Sequence, residues 1–236
     1  LYESAISNII APITESDRMK TIVLASRKGG SGKSTLAAHL GVGLHQAGRG
    51  PVVLLDLDPQ ATLAGWWDRR EQEYPAFADS TPEGLPARLA ALASDGYAWA
   101  VVDTPPSVSD INRRAIAAAD LVVIPARPSP HDLEALGATI DMCAAAGVPY
   151  VFVLNAAKGA NGIALQTASA LSEHGHVAPV AVVDRVAYAA SMIDGRSISE
   201  AEPAGKGAAE MVAFRDFVIS RFPEFRKVTR KEKARA

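Results

Sequence analysis

Cysteine is almost absent from this chain: Cys143 is the only one among 236 residues. No disulfide framework can form within one chain, so a reducing compartment is the expected setting. Cys143 itself, inside an apolar helical stretch, reads as a core thiol. Long apolar runs are also missing. None approaches the roughly 20 residues that span a bilayer, and residues 1–18 lack the basic start and apolar centre of a secretory signal. His39, His45, His131, His174 and His176 show no metal-ligand spacing with Cys or acidic partners. They read as structural or exposed. No internal repeat and no second domain is visible.

Net charge is nearly absent as well, at −2, but it is unevenly spread. Residues 226–236 hold six Lys/Arg and one Glu, a local excess of five positive charges, which leaves the remainder at −7. Such a basic tail suits an anionic partner. Length and composition fit one large α/β domain.

What the chain does have is a regular alternation of short apolar runs and helical patterns. Strands are expected at Thr21–Ser26, Val52–Asp56, Ala98–Asp103, Leu121–Pro125, Tyr150–Leu154 and Val180–Val183. Nearly uniform apolarity marks them as parallel strands covered on both faces. Helices are expected over Lys33–Gln46, Pro86–Ala93, Asp110–Ala119, His131–Ala146 and Gly162–Glu173. Gly48, Gly147 and Gly175 punctuate three of their ends. Trp66-Trp67 is expected to pack a helix. The fold class that follows is α/β: a doubly wound, mostly parallel sheet with helices on both faces. Ligands of such a sheet sit beyond the carboxyl ends of its strands.

Three motifs fall at such ends. Directly after Ile22-Val23-Leu24-Ala25 comes Lys28-Gly29-Gly30-Ser31-Gly32-Lys33-Ser34, a glycine-rich turn that opens a helix. Successive N–H groups there can hold phosphate oxygens, and the helix aims its positive end at the same anion. Lys33 would reach the β- and γ-phosphates, and the Ser34 hydroxyl would ligate Mg²⁺. Arg27 stands where the usual phosphate loop has its first glycine, and Lys28 is an additional cation. The second motif is Leu54-Leu55-Asp56-Leu57-Asp58-Pro59-Gln60, where a carboxylate beyond a strand can order a water. The third is Val101-Val102-Asp103-Thr104-Pro105-Pro106-Ser107, an acidic strand end followed by a stiff turn.

These motifs, in this order, resemble the ParA/MinD family of deviant Walker-A ATPases, and most nearly its small ParA-type partition and positioning members. The resemblance covers about Met19 to Phe222 and implies a P-loop NTPase domain at 19–222. Residues 1–18 would then be an N-terminal extension, with Met19 a candidate native start, and residues 223–236 a basic C-terminal tail. From the compact length, no N-terminal DNA-reading domain is expected.

By this resemblance, Lys28, Lys33 and Asp58 are the catalytic set. Lys28 would cross to the nucleotide of a partner subunit, acting much as an arginine finger does. Asp58 would orient the attacking water. ATP would be held by Lys28, Gly29, Gly30, Ser31, Gly32, Lys33, Ser34 and Thr35. Asn155, at a strand end, would either read the adenine edge or cap the strand. Asp184-Arg185-Val186-Ala187-Tyr188 resembles the loop that flanks adenine. Mg²⁺ would be held by Ser34 and Asp103, with Asp56 supporting either the metal or the loop.

The implied partners are a second copy of the chain in the ATP state, nonspecific DNA, and a ParB-like or cargo-adaptor protein that stimulates slow hydrolysis. Arg185, Arg196, Arg215, Arg221, Arg226, Lys227, Arg230 and Lys231 are the candidate DNA contacts. A cytoplasmic, nucleoid-associated location follows from the same resemblance. A MinD-like membrane switch is the alternative. It needs an amphipathic C-terminal helix, and the tail offers only Phe225 and Val228 as substantial apolar groups, so membrane attachment is disfavoured. One cysteine excludes the related iron-protein reductases, which bind their cluster through two per subunit. The absence of tyrosine after Tyr188 disfavours the related tyrosine kinases.

Overall fold

The computed structural model describes residues 18–158 and 162–222. In chain order the elements are β1 (Lys20–Leu24), α1 (Lys33–Gln46), β2 (Val52–Asp56), α2 (Thr62–Trp67), β3 (Ala76–Phe77), α3 (Leu85–Ser94), β4 (Trp99–Asp103) and α4 (Asp110–Ala117). They continue with β5 (Leu121–Ala126), α5 (Pro130–Ala146), β6 (Tyr150–Leu154), α6 (Gly162–Ser172), β7 (His176–Val177), α7 (Val186–Ser191), α8 (Ile198–Ala201) and α9 (Lys206–Ile219).

The strands form one seven-stranded sheet in the order β3-β2-β4-β1-β5-β6-β7. Every pairing within it is parallel. Successive strand residues point to opposite faces, and each face has its own core. Ile22, Leu24, Leu54, Val101 and Val123 pack with Leu36, Leu40, Trp66, Tyr188, Ile198 and Phe214, from α1, α2 and α7 to α9. Val23, Val53, Leu55, Val102 and Ile124 pack with Leu85, Leu89, Ile116, Leu136, Cys143 and Leu171, from α3 to α6. The loop after β1 therefore leaves toward one face and the loop after its neighbour β4 toward the other. This divergence opens a crevice at the carboxyl edge of the sheet.

Local chemistry explains where the helices start and stop. Ser109 caps α4 by accepting from the Asn112 amide, and Ser197 and Glu200 form a reciprocal capping box at α8. Pro130 occupies the first turn of α5, and Gly147 ends that helix with a φ of 66°. Close approach fixes Gly41 in α1: a Cβ there would lie 2.5 Å from Leu54 Cδ2 on β2.

One expected strand is not formed. The chain over 180–183 runs beside β6 without a ladder, and Val183 makes only an isolated bridge to Ala157. The regular edge strand is instead the short β7. The ladder slips there: Ala178 N donates to Phe152 O, but the next bond along β6, to Leu154 O, comes from Val182 N, two residues later than a continuous ladder requires, so the chain loops out at Pro179 and Val180. Cys143 is buried, as read from the sequence, and burial pushes its thiol up to about 12. Among the described residues, no helix is long and apolar enough to cross a membrane.

Trp66 and Trp67 do pack α2. The Trp66 indole donates to Arg196 O at 3.1 Å, and the Trp67 indole to Pro75 O at 2.9 Å. Beside Trp66, the buried Arg70 pairs with Glu200 at 2.9 Å and donates to Gly195 O at 2.6 Å. This clip fastens the end of α2 to α8.

His39 lies in α1 under this clip. Its Nδ1 is 2.8 Å from Thr35 O, and its ring meets Tyr188 edge-on with centroids 5.4 Å apart. Burial lowers its pKa to about 4. Below the ordinary value of 6.5 the unfolded chain therefore takes up a proton that the folded chain refuses. The stability linked to neutral His39 is complete above pH 6.5 and is lost as pH falls toward 4. Between pH 7 and pH 5 this group should cost the fold on the order of 2 kcal/mol. Denaturant titrations of wild type and His39→Leu at both pH values check it. The variant should lose less stability on acidification, and equal losses would show that His39 titrates normally.

Candidate functional site

The loop between β1 and α1 spans the crevice. Gly30 and Gly32 adopt φ values of 70° and 92°, a region that side chains avoid. Gly32 is restricted a second time, since a Cβ there would fall 2.0 Å from Asn155 Nδ2. No side chain caps the start of α1, and its first turn holds no acid. The first-turn amides thus have no intrahelical partner and face the crevice with the positive end of the helix. Gly30, Gly32, Lys33, Ser34 and Thr35 line a cleft of about 710 Å³ together with Asp58, Arg127, Asn155, Asp184, Arg185 and Tyr188.

Lys33 is buried at the centre of this arrangement. Desolvation lowers its pKa, while Asp103 and Asp58 act in the opposite direction. Asp103 ends β4 and is fully buried. Burial is the main cause that raises its pKa to about 7, with Asp56 adding to the rise and Ser34, Lys33 and the Thr104 amide opposing it. Its Oδ1 accepts from Thr104 N at 2.9 Å, and Oδ2 is buried without a hydrogen-bond partner among the described residues. An oxygen-only donor set with one orphaned carboxylate oxygen beside a hydroxyl fits a hard cation such as Mg²⁺.

Asp56 and Asp58 divide their work. Asp56 accepts from the amides of Asp58, Leu63 and Ala64 at 2.9, 3.0 and 3.0 Å. Both its oxygens are spent on backbone, so loop support is the one of its two expected roles that this geometry fits. Burial nevertheless raises its pKa, with those amides opposing the rise. The same grip holds the turn in which Ala61 takes a φ of 50°, a conformation that costs a non-glycine residue about 1–2 kcal/mol. Asp58 is held more lightly, through Oδ1 to the Gln60 amide at 3.0 Å, and it faces the cleft.

Two other expected residues are engaged by groups of the chain itself. Asn155 donates Nδ2 to Ser31 O at 2.7 Å, so its amide nitrogen braces the loop and is not aimed at a base. Lys28 is drawn away from the phosphate cleft: its Nζ pairs with the buried Asp132 at 2.8 Å. The pair lines a neighbouring cleft with Arg127, Ser129, Lys158 and Asp184.

The four arginines assigned to DNA that lie among the described residues each contact a group of the protein itself. Arg185 lines the nucleotide-sized cleft and is locked to Glu210, which also accepts from the Tyr188 hydroxyl and the Val183 amide. Arg196 pairs with Asp194 at 2.7 Å. Arg215 pairs with Asp216 and reaches Gly43 O. Arg221 lies over the Phe217 ring. Arg226, Lys227, Arg230 and Lys231 fall outside the described residues.

Several contributors were not singled out by sequence. Asn112, fully buried, donates to Thr104 Oγ1 and Pro105 O. Thr104 Oγ1 donates in turn to Leu24 O at 2.8 Å, which ties the turn after β4 to β1. Asp132, Glu210 and Arg127 complete the group. None stands in a phosphate-loop or strand-end motif, so only their placement reveals them.

Comparison with known proteins agrees with this geometry. Residues 22–198 match the CobQ/CobB/MinD/ParA nucleotide-binding domain. The maintenance of carboxysome distribution protein A of Halothiobacillus neapolitanus is 30% identical over 209 residues, covering 84% of this chain and 94% of that protein. Protein ParA of Rhizobium radiobacter is 40% identical over 124 residues, covering 52% of this chain and 53% of its own length. Among solved structures, the ATP complex of Cyanothece McdA(D38A) superposes with a TM-score of 0.73 at 20% identity, covering 91% of this chain and 100% of that one. A chain of the Aquifex aeolicus MinC:MinD cell division protein complex superposes with a TM-score of 0.72 at 16% identity, covering 85% of this chain and 96% of that one. With a matching domain over most of its length and a near full-length relative at this identity, the chain belongs to the ParA/MinD family of nucleotide-binding proteins.

Proposed function

We propose that this protein is a partition or positioning ATPase. It binds ATP, dimerises around it, holds DNA without sequence preference, and is reset by hydrolysis that a ParB-like or cargo-adaptor partner accelerates. One observation carries the reading: Lys33, Ser34 and Asp58 line a single cleft whose floor is an uncapped helix start, with Asp103, from a third strand end, buried beside Lys33 and Ser34. The near full-length relative is named for carboxysome distribution and a second for ParA, which supports a large assembly or a DNA molecule as cargo.

The reaction is phosphoryl transfer to water. The bond between the γ-phosphorus and the bridging oxygen breaks as a water oxygen bonds to phosphorus, giving ADP and phosphate. Asp58 accepts a hydrogen bond from that water and sets its direction, while Lys33 and the first-turn amides of α1 neutralise the charge on the phosphate oxygens. Mg²⁺, held by Ser34 and Asp103, would neutralise further phosphate charge. Asn112, Thr104 and Leu24 hold the turn beside the terminal phosphate, where loss of that group can be felt. Lys28 reaches a partner's nucleotide only after leaving Asp132, so assembly exchanges one ion pair for another.

Asp58→Ala should still bind ATP, because the loop and Lys33 remain. Its hydrolysis should slow on the order of 10²-fold or more in single-turnover assays, and near-normal turnover would remove Asp58 from the mechanism.

Light scattering should show a dimer with ATP and Mg²⁺ but not with ADP. Lys28→Ala should abolish that dimer. Asp132→Asn, which frees Lys28, should let it form at lower ATP concentration. A dimer indifferent to nucleotide and to Lys28 would defeat the trans-acting role.

Charge asymmetry supports the DNA reading. Unrelated duplexes should bind the ATP state equally well, with affinity falling by a log–log slope of about 0.9 for each phosphate neutralised. Removing residues 226–236 should flatten that slope. ATP-dependent binding to anionic vesicles without binding to DNA would overturn the partition reading in favour of a membrane switch.

A further inference from the structure

Arg127 is the first residue beyond β5, the strand that pairs with β1 on the side opposite β4. Its backbone is fixed there: Asn155 N donates to Ala126 O at 2.9 Å, and Ser129 N to Arg127 O at 2.8 Å. The side chain folds over the phosphate loop. A Cβ built on Gly30 would lie 3.5 Å from Arg127 Nη2 and 3.9 Å from both Cζ and Nη1. The guanidinium thus covers the first half of the loop at van der Waals distance and lines the same cleft as Lys33, Ser34 and Asp58.

Three further observations give this placement a chemical meaning. No side-chain hydrogen bond or ion pair of the guanidinium is formed among the described residues, although Asp132 and Asp184 line the adjoining cleft with it. Asp132 is instead taken by Lys28. The other loop cation, Lys33, enters from the helix end of the loop. Gly29 and Gly30 lie at the opposite end, and a Cβ on Gly29 would be 3.9 Å from Pro106 Cβ, in the turn that follows Asp103. The half of the loop nearest that turn therefore has an unspent planar cation above it, with a donor fork suited to two oxygens of one phosphoryl group.

We infer that Arg127 binds the terminal phosphate of a nucleoside triphosphate from within the same chain and makes this site prefer triphosphate over diphosphate. This rests on the ATPase reading above and adds to it a residue outside the motifs. Lys28 and Arg127 then have separate duties: Lys28 stays paired with Asp132 until a second chain arrives, and Arg127 contacts phosphate in the single chain.

The test measures affinity rather than turnover. A non-hydrolysable ATP analogue and ADP, each with Mg²⁺, are titrated against wild type, Arg127→Ala, Arg127→Lys and Arg127→Gln at protein concentrations where scattering shows monomer. Arg127→Ala and Arg127→Gln should weaken the triphosphate analogue about 10-fold or more and ADP less than about 2-fold, the loss expected for one charge-assisted contact. Arg127→Lys should fall between, keeping the charge and losing the fork. Thermal midpoints show whether each variant is folded. If Arg127→Ala is not, Arg127→Gln and Arg127→Lys decide. Unchanged affinities, or equal weakening of analogue and ADP, would overturn the terminal-phosphate contact while leaving the ATPase reading standing. Wild type that binds neither nucleotide would overturn that reading itself, and this inference with it.

Discussion

Burial of a parallel sheet on both faces governs everything else in this molecule. The central strands have no solvent side, so their residues are apolar wherever a neighbour can reach them, and polar groups collect where the strands end. β1, β2, β4 and β5 end side by side, which brings Lys33, Asp56, Asp58, Asp103 and Arg127 together from four separate stretches of chain. The site is thus a consequence of layer packing before it is a consequence of any single motif.

That packing also sets the electrostatics. Desolvation lowers the pKa of Lys33 and raises those of Asp103 and Asp56, so the cleft opposes charge on its own members. Asp103 keeps one buried oxygen without a partner among the described residues. An unpaired buried polar atom costs on the order of 1–3 kcal/mol. A cation held there would relieve that cost, and part of its binding energy would then come from a penalty the folded chain already carries.

Much of the fold was legible in the sequence. α9 was not among the expected helices, but β2, β6 and α1 have the boundaries read from apolar runs and glycine punctuation, and β1, β4, β5 and α3 to α6 differ from their readings only at their ends. These segments are long enough, or apolar enough, for local pattern to decide them. Val180–Val183 misled because its β-branched residues look like a strand, while the chain loops out after Ala178 and donates to β6 again only at Val182. β3 and β7, two residues each, are too short to leave a pattern. In the site, the loop glycines, Lys33 and the strand-end aspartates follow from spacing. The Lys28–Asp132 pair, the Asn155 brace and the cover of Gly30 by Arg127 join residues about a hundred or more positions apart. Such contacts belong to the assembled sheet and have no local signature.

Two glycines in this structure are confined for different reasons, and they would follow different routes through sequence change. At Gly41 the obstacle is Leu54, a side chain on β2. A smaller residue at 54 makes room for alanine at 41, so the two positions can drift as a compensating pair. At Gly32 the obstacle is also a side chain, at 155, but φ is 92° whatever stands opposite. Shortening Asn155 removes the collision and leaves the backbone penalty untouched. Position 155 can therefore vary without ever freeing position 32. The loop's second half is held constant by its own backbone, and a descendant that loses the Asn155 brace still inherits the glycine.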